Sequence, residues 1–112
     1  MPNLAYRRGA DWERDYMEML EVRGWATIRS AGSHRPIDVF AGKSDGGSIR
    51  TIGTQCKTGK GRMTRKDIRR LQGMCAQLGA VPVLAVRAGR TRRFYTVTPF
   101  GGLVQIFERW FD

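Results

Sequence analysis

The chain has one histidine, His34, and two cysteines, Cys56 and Cys75, in 112 residues. Neither cysteine belongs to a Cys-x-x-Cys or mixed Cys/His cluster, so a zinc site and His-rich metal chemistry are excluded, and at most one disulfide can form. Both cysteines read as small core hydrophobes. Long apolar runs are also missing: stretches such as Val81 to Val86 fall far short of the roughly 20 residues a membrane helix requires. Tyr6-Arg7-Arg8-Gly9 leads into charged positions instead of an apolar segment, so no secretory leader is read. The expectation is a soluble protein of the cytoplasm, or of the host cytoplasm if the source is viral, with no membrane partner. One compact domain over residues 1–112 is expected, with no room for a separate cofactor lobe and no small-molecule cofactor.

Acids are scarce as well: 10 Asp and Glu stand against 20 Lys and Arg, a formal charge of +10. The excess is local. From Thr58 to Arg93 there are ten basic residues and one acid, Asp67, while the rest of the chain carries ten basic and nine acidic residues. Sixteen of the twenty basic residues are Arg, whose planar fork grips phosphate oxygens in pairs, so a polyanion is the natural partner. A solvated basic surface and attraction to anionic lipid are the alternatives. Lipid attraction lacks a basic amphipathic helix with exposed Trp or Phe, which leaves nucleic acid as the better reading.

Apolar residues at Trp12, Tyr16, Met19 and Leu20, with Met17 beside them, recur at helical spacing from Gly9 to Arg23. Asp11, Glu13 and Asp15 are placed in the first turns, where the helix dipole favours acids, and Gly24 marks the end. Three short β-rich segments follow at Trp25 to Arg29, Ile37 to Ala41 and Ile49 to Lys57. Ser44-Asp45-Gly46-Gly47 makes the second and third an antiparallel hairpin. A second helix is expected from Thr64, an N-cap with Asp67 completing a capping-box variant, to Leu78, closed by Gly79, with Ile68, Leu71, Cys75 and Leu78 as its buried stripe. Val81 to Val86 reads as a strand covered on both faces, and Phe94 to Thr98 as an edge strand. The tail from Leu103 to Phe111 fits helix or strand, and its apolar density fits either a dimer contact or a core role. The order is α, three strands, α, two strands, in an α/β domain with a mixed five-stranded sheet flanked by helices.

Asp38 begins a strand otherwise made of Ile37, Val39, Phe40 and Ala41. It is either a strand-end turn residue or a buried acid with a purpose. Gln55 and Lys57, two apart, share one side of the third strand, and the hairpin brings that strand beside Asp38. Glu13, on the margin of the first helix's apolar stripe, is a fourth polar group aimed the same way, unless it serves only the helix dipole. Hard oxygen ligands of this kind suit Mg²⁺ or Mn²⁺.

Tyr6-Arg7-Arg8-Gly9-Ala10, Glu13-Arg14, Arg29-Ser30-Ala31-Gly32-Ser33, Asp38 and Gln55-Cys56-Lys57 resemble the archaeal-type Holliday-junction resolvases, small dimeric members of the PD-(D/E)xK nuclease superfamily. The resemblance runs from about Tyr6 through Val97 in the same order and with similar spacing. It implies a restriction-endonuclease-like fold in a single nuclease domain. It implies that Glu13, Asp38 and Gln55 hold Mg²⁺, with Mn²⁺ as a substitute, that the backbone carbonyl of Cys56 adds a ligand, and that Lys57 orients or activates water. Arg14, Arg29 and Ser30 would stand at or near the cleaved phosphate, and Arg7 and Arg8 would contact DNA. The basic segment of Lys60, Arg62, Arg65, Lys66, Arg69 and Arg70 would then track the phosphates flanking the cut. Met74 and Leu78 fall where the family places dimer contacts, and Phe107 and Trp110 of the apolar tail join them as candidates. The family usually has Glu where this chain has Gln55. The implied activity is paired nicking of four-way DNA junctions by a homodimer. Cutting of other branched, mismatched or duplex DNA, and a catalytically weakened DNA-binding module, are the alternatives.

Overall fold

The computed structural model describes residues 4–30, 35–59 and 62–112. Helix α1 (Leu4–Val22) precedes β1 (Ala26–Arg29), β2 (Val39–Asp45) and β3 (Ser48–Thr58). Helix α2 (Arg65–Leu78), β4 (Val81–Ala88), β5 (Thr91–Val97) and β6 (Leu103–Ile106) follow, and a 3-10 turn at Glu108–Phe111 closes the chain. Among the described residues the strands form one sheet in chain order. All neighbours pair antiparallel except β3 and β4, whose crossover through α2 makes them parallel.

The sheet is mixed, as expected, with six strands instead of five. Leu103–Ile106 pairs with β5, so the segment expected at the edge is an inner strand. The tail therefore combines a strand with a final helical turn, each too short to show a period of its own.

Helix α1 begins at Leu4, more than a turn before the expected start, because Leu4 to Arg8 continue the helix without a breaker. Asp11, Glu13 and Asp15 consequently lie beyond the first turn, which holds no acid. Their role is not dipole compensation at the helix start. Glu13 instead pairs with Arg29 at 3.0 Å, and Asp15 with Arg87 at 2.7 Å. The apolar stripe behaves as read: Trp12, Tyr16, Met19 and Leu20 are buried against Val39, Ala41, Ile52, Val83, Ala85 and Phe94. Two polar contacts fix this helix on the sheet, Trp12 Nε1 donating to the Ala85 carbonyl at 3.1 Å and the Tyr16 and Thr54 hydroxyls sharing a 2.7 Å bond.

Helix α2 covers the opposite face. Thr64 and Asp67 complete a reciprocal capping box, and Gly79 ends the helix in the left-handed conformation at φ 65°. Leu71 and Cys75 are buried with Ile37 and Val97, and Phe40, Met63, Ile68 and Met74 pack around them. Leu78, expected in this stripe, is half exposed because it closes the helix where the core has already ended. Close approach is possible because β3 offers Gly53: a Cβ there would stand 2.6 Å from Cys75 Sγ and 2.7 Å from Ile37 Cδ1. Cys75 is a free, buried thiol that burial pushes up to about 11.

The β2–β3 hairpin turns on Gly46 and Gly47, both at positive φ, as a two-residue loop of the primed type requires. Of the tail, Phe111 is fully buried, with ring centroids 5.4 Å from Phe94 and 6.0 Å from Tyr16. Trp110 is half buried against the same core, and the Arg50 guanidinium lies over both its ring and that of Trp25, at 5.2 and 5.1 Å. Phe107 remains exposed. No helix among the described residues is long and apolar enough to cross a membrane.

Candidate active site

The candidate site forms where β1 has ended, β2 is about to begin and β3 continues. The β2–β3 register pairs Val39 with Thr54, and one further step places Asp38 opposite Gln55. The backbone holds that extra step: Asp38 N donates to the Thr54 carbonyl and Ser30 N donates to the Asp38 carbonyl, both at 2.8 Å. Beyond it the ladder gives out, and the next inward-facing amide of β3, Cys56 N, donates to Asp38 Oδ2 at 2.9 Å. The strand-end reading of Asp38 holds, since its carboxylate completes the ladder, and that carboxylate stands at the sheet end opposite Gln55 and within electrostatic reach of Lys57.

Glu13 comes from α1, and its Oε1 accepts from Arg29 Nε at 3.0 Å, with both side chains mostly shielded from water. Asp38 senses all of these charges. Its carboxyl is raised to about 6, first by burial and further by Glu13, against the lowering effects of the Cys56 amide, Lys57 and Arg29. A partly buried acid facing a second acid is a poor place for negative charge alone and a good one for a shared cation. Cys56, between the two strand residues of interest, turns its thiol to the α1 core; burial, with Asp38 and Glu13 adding to it, drives that thiol well above the ordinary range. It stays protonated and has no role as a nucleophile, which leaves its carbonyl as the group available to a metal.

Glu13, Arg29, Asp38 and Lys57 are thus within electrostatic reach of one another at one end of the sheet, and the strand register sets Gln55 there opposite Asp38. Ser30 takes part through its backbone amide. Arg7, Arg8 and Arg14 are exposed on α1, and Arg62, Arg65, Lys66, Arg69 and Arg70 are exposed at the entry to α2 and along its first two turns. Asp67, in that first turn, is lowered chiefly by the Thr64 amide and in small part by Lys57, which ties this helix end to the site. Lys60 and the Ala31-Gly32-Ser33 part of the serine-rich stretch lie outside the described residues. Met74 is half buried on the second core, while Leu78 and Phe107 face solvent.

Two features escaped the sequence reading. Arg8, Asp11, Thr58 and Arg87 line a cleft of about 330 Å³ at the carboxyl ends of β3 and β4, the usual place for a ligand in such sheets. Phe100, between Pro99 and Gly101 in the β5–β6 loop, is fully exposed; an aromatic flanked by turn residues was the available signal.

A mixed sheet with α1 and α2 on opposite faces, an acid just before the second strand and a lysine on the third fit the restriction-endonuclease-like class expected from the sequence. The family description "Archaeal holliday junction resolvase (hjc)" matches residues 4–101, and the chain belongs to that family. The match ends before β6 and the final turn. A protein named crossover junction endodeoxyribonuclease Hjc, from Methanocaldococcus jannaschii, is 35% identical over 95 residues, covering 85% of this chain and 68% of that protein. The structure of Archaeoglobus fulgidus Hjc, described as a Holliday junction resolvase from an archaeal hyperthermophile, is similar with a TM-score of 0.65 at 24% identity. That similarity covers 92% of this chain and 91% of the other.

Proposed function

We propose that this sheet end resolves four-way DNA junctions by metal-dependent phosphodiester hydrolysis, with a homodimer placing one nick in each of two strands. The observation that carries the reading is the β2–β3 register, which sets Asp38 opposite Gln55 with Lys57 two residues on and Glu13 within its electrostatic reach. The donors fit a hard divalent cation: two carboxylates, the Gln55 amide oxygen and the Cys56 carbonyl, all oxygen. No group of three His, Cys, Asp or Glu side chains that could hold a metal is found among the described residues, and Gln55 brings an uncharged amide where the family usually has Glu. The site therefore carries two formal negative charges.

Mg²⁺ or Mn²⁺ bound there supplies positive charge to the phosphoryl oxygens and lowers the pKa of a coordinated water. Lys57 adds a fixed positive charge beside the attacked phosphorus and orients the water. Arg29, held by Glu13 on the same rim, and the exposed Arg14, next to Glu13 in the chain, would receive the phosphates beside the cut. The arginines of α2 contact further phosphates, which sets position without reading sequence. Met74, Leu78 and Phe107 are the apolar groups proposed for the twofold contact that pairs two sites. Such an enzyme works on chromosomal or viral DNA in the cytoplasm.

The deciding experiment is strand-resolved cleavage of a fixed four-way junction, compared with three-way and linear DNA, in Mg²⁺, Mn²⁺ and EDTA. Symmetric nicks on the four-way junction with either metal, and none in EDTA, are expected. Cleavage by Asp38→Asn at the wild-type rate would remove the proposed site.

A further inference from the structure

Phe100 is wholly exposed to solvent, at 100%, yet the loop that carries it is not loose. Thr98 N donates to the Gly102 carbonyl at 2.8 Å, Gly101 N to the Thr98 carbonyl at 2.9 Å, and Gly102 N to Thr98 Oγ1 at 2.9 Å. Gln72 of α2 donates its Nε2 to the Thr98 carbonyl at 2.7 Å, stapling the loop to the helix. The backbone on either side of the ring is thus held in place, so a ligand meeting it has little main chain left to order.

Beside the ring runs a groove of about 550 Å³, walled by the loop on one side and by Arg65, Ile68 and Arg69 on the other. Arg65 and Arg69 belong to the same helix end as Asp67, which senses Lys57. The groove thus begins at the helix end that follows the catalytic strand in the chain. A flat apolar face next to two guanidinium groups matches a nucleic-acid strand, whose base stacks while its phosphates meet the arginines. A second copy is the less favourable occupant, because an isologous contact here would bring Arg65 and Arg69 of both copies into one interface with no acid among the described residues lining the groove to offset them. An unbroken duplex has no free base face to offer. A branch point does, since the pairs at the exchange have lost a stacking neighbour and part at least cost.

We infer that Phe100 is a stacking wedge for a base at the branch point of the DNA, with Arg65 and Arg69 holding the adjoining phosphates. It selects branched shape without reading sequence. This inference rests on the junction-cutting reading of the site.

Binding of the full chain to a fixed four-way junction and to a linear duplex of the same sequence, followed by fluorescence anisotropy in EDTA, tests it. Phe100→Ala is expected to weaken junction binding by about tenfold, the scale of one base stacked on an aromatic ring, while duplex binding moves by less than about twofold. Phe100→Trp is expected to bind the junction like wild type. With 2-aminopurine at the branch point, emission changes on binding of wild type and Phe100→Trp and not of Phe100→Ala. Junction binding by Phe100→Ala equal to wild type, while wild type still prefers and cuts the junction, overturns the wedge alone. A changed sedimentation coefficient in Phe100→Ala with unchanged DNA affinity also overturns it and assigns the ring to a second copy. Wild type without preference for the junction over the duplex overturns the proposed function and the wedge with it.

Discussion

Asp38 Oδ2 accepts the Cys56 amide hydrogen at 2.9 Å, so a side-chain carboxylate takes the place on β3 where the β2 backbone has ended. The fold requires an acceptor at that spot, and the proposed chemistry requires a charge. The two demands fall on one residue and are separable by substitution.

Asp38→Asn keeps an acceptor oxygen for the Cys56 amide and removes the charge. In EDTA near neutral pH it is expected to fold with a urea midpoint no lower than that of wild type, and it is expected to lose cleavage of the four-way junction. Asp38→Ala leaves that amide unpaired and is expected to lose about 1–3 kcal/mol as well. Equal destabilisation by Asn and Ala in urea unfolding would show that the hydrogen bond does not matter to the fold.

Stability should depend on pH through the same residue. The Asp38 carboxyl lies at about 6 against an ordinary 3.8, with burial the main cause. The folded state therefore holds this proton more tightly than the unfolded chain does. The resulting stabilisation is full below the unfolded value and is lost as pH rises through the folded one. In EDTA, wild type is expected to lose more melting temperature than Asp38→Asn between about pH 4 and about pH 7. Mg²⁺ at the upper pH should return that loss to wild type and not to Asp38→Asn. Parallel melting curves for the two proteins across this range would contradict the assignment.

Gly53 couples the second core to the site. A Cβ there would meet Cys75 Sγ at 2.6 Å and Ile37 Cδ1 at 2.7 Å, and Ile37 is the residue before Asp38. Gly53→Ala is expected to lose about 1–3 kcal/mol by overpacking and to slow cleavage by displacing Asp38. Adding Cys75→Ala removes one of the two clashes and should restore part of the stability. Chemical denaturation of the single and double variants checks this; full additivity of the two losses would mean that the contact is absent.

What the sequence made legible was local chemistry. The stripe of Trp12, Tyr16, Met19 and Leu20, the Thr64–Asp67 capping box, Gly79 and the Gly46–Gly47 turn each depend on neighbours within a few residues, and each is found where it was read. Asp38, Gln55 and Lys57 were placed together by the hairpin alone, before the register was known. The failures are long-range or lie at element ends. Helix α1 starts at Leu4 because nothing nearby stops it. Strand β6 exists because β5 offers an edge, which no window of four residues can show. Arg87 counted toward the basic segment yet pairs with Asp15, 72 positions earlier. Arg50, outside that segment, is structural, bridging Trp25 and Trp110 and donating to the Trp110 and Asp112 carbonyls.

The α2 arginines give a prediction in salt. They are exposed, and contacts to phosphate release counterions, so the logarithm of the binding constant should fall steeply and linearly with the logarithm of salt concentration. Arg69→Ala is expected to weaken junction and duplex binding alike and to lower the slope by about one. Anisotropy titrations at several salt concentrations measure both quantities; a slope that does not change would remove Arg69 from the phosphate contacts.

Gln55→Glu tests the departure from the family's usual acid. A third carboxylate beside Asp38 and Glu13 adds repulsion to a site where Asp38 is already raised by burial and by Glu13, so the variant is expected to melt lower than wild type in EDTA. The same charge strengthens the oxygen set for a hard cation, so Mg²⁺ should raise its melting temperature more, and half-maximal cleavage should need less Mg²⁺. The relative size of these effects also separates a working enzyme from a weakened one. If wild type cuts junctions in millimolar Mg²⁺ and Gln55→Glu shifts only the metal requirement, the amide is a tolerated ligand. If wild type is inert and the variant cuts, the chain is a junction-binding protein whose cutting site lacks one charge.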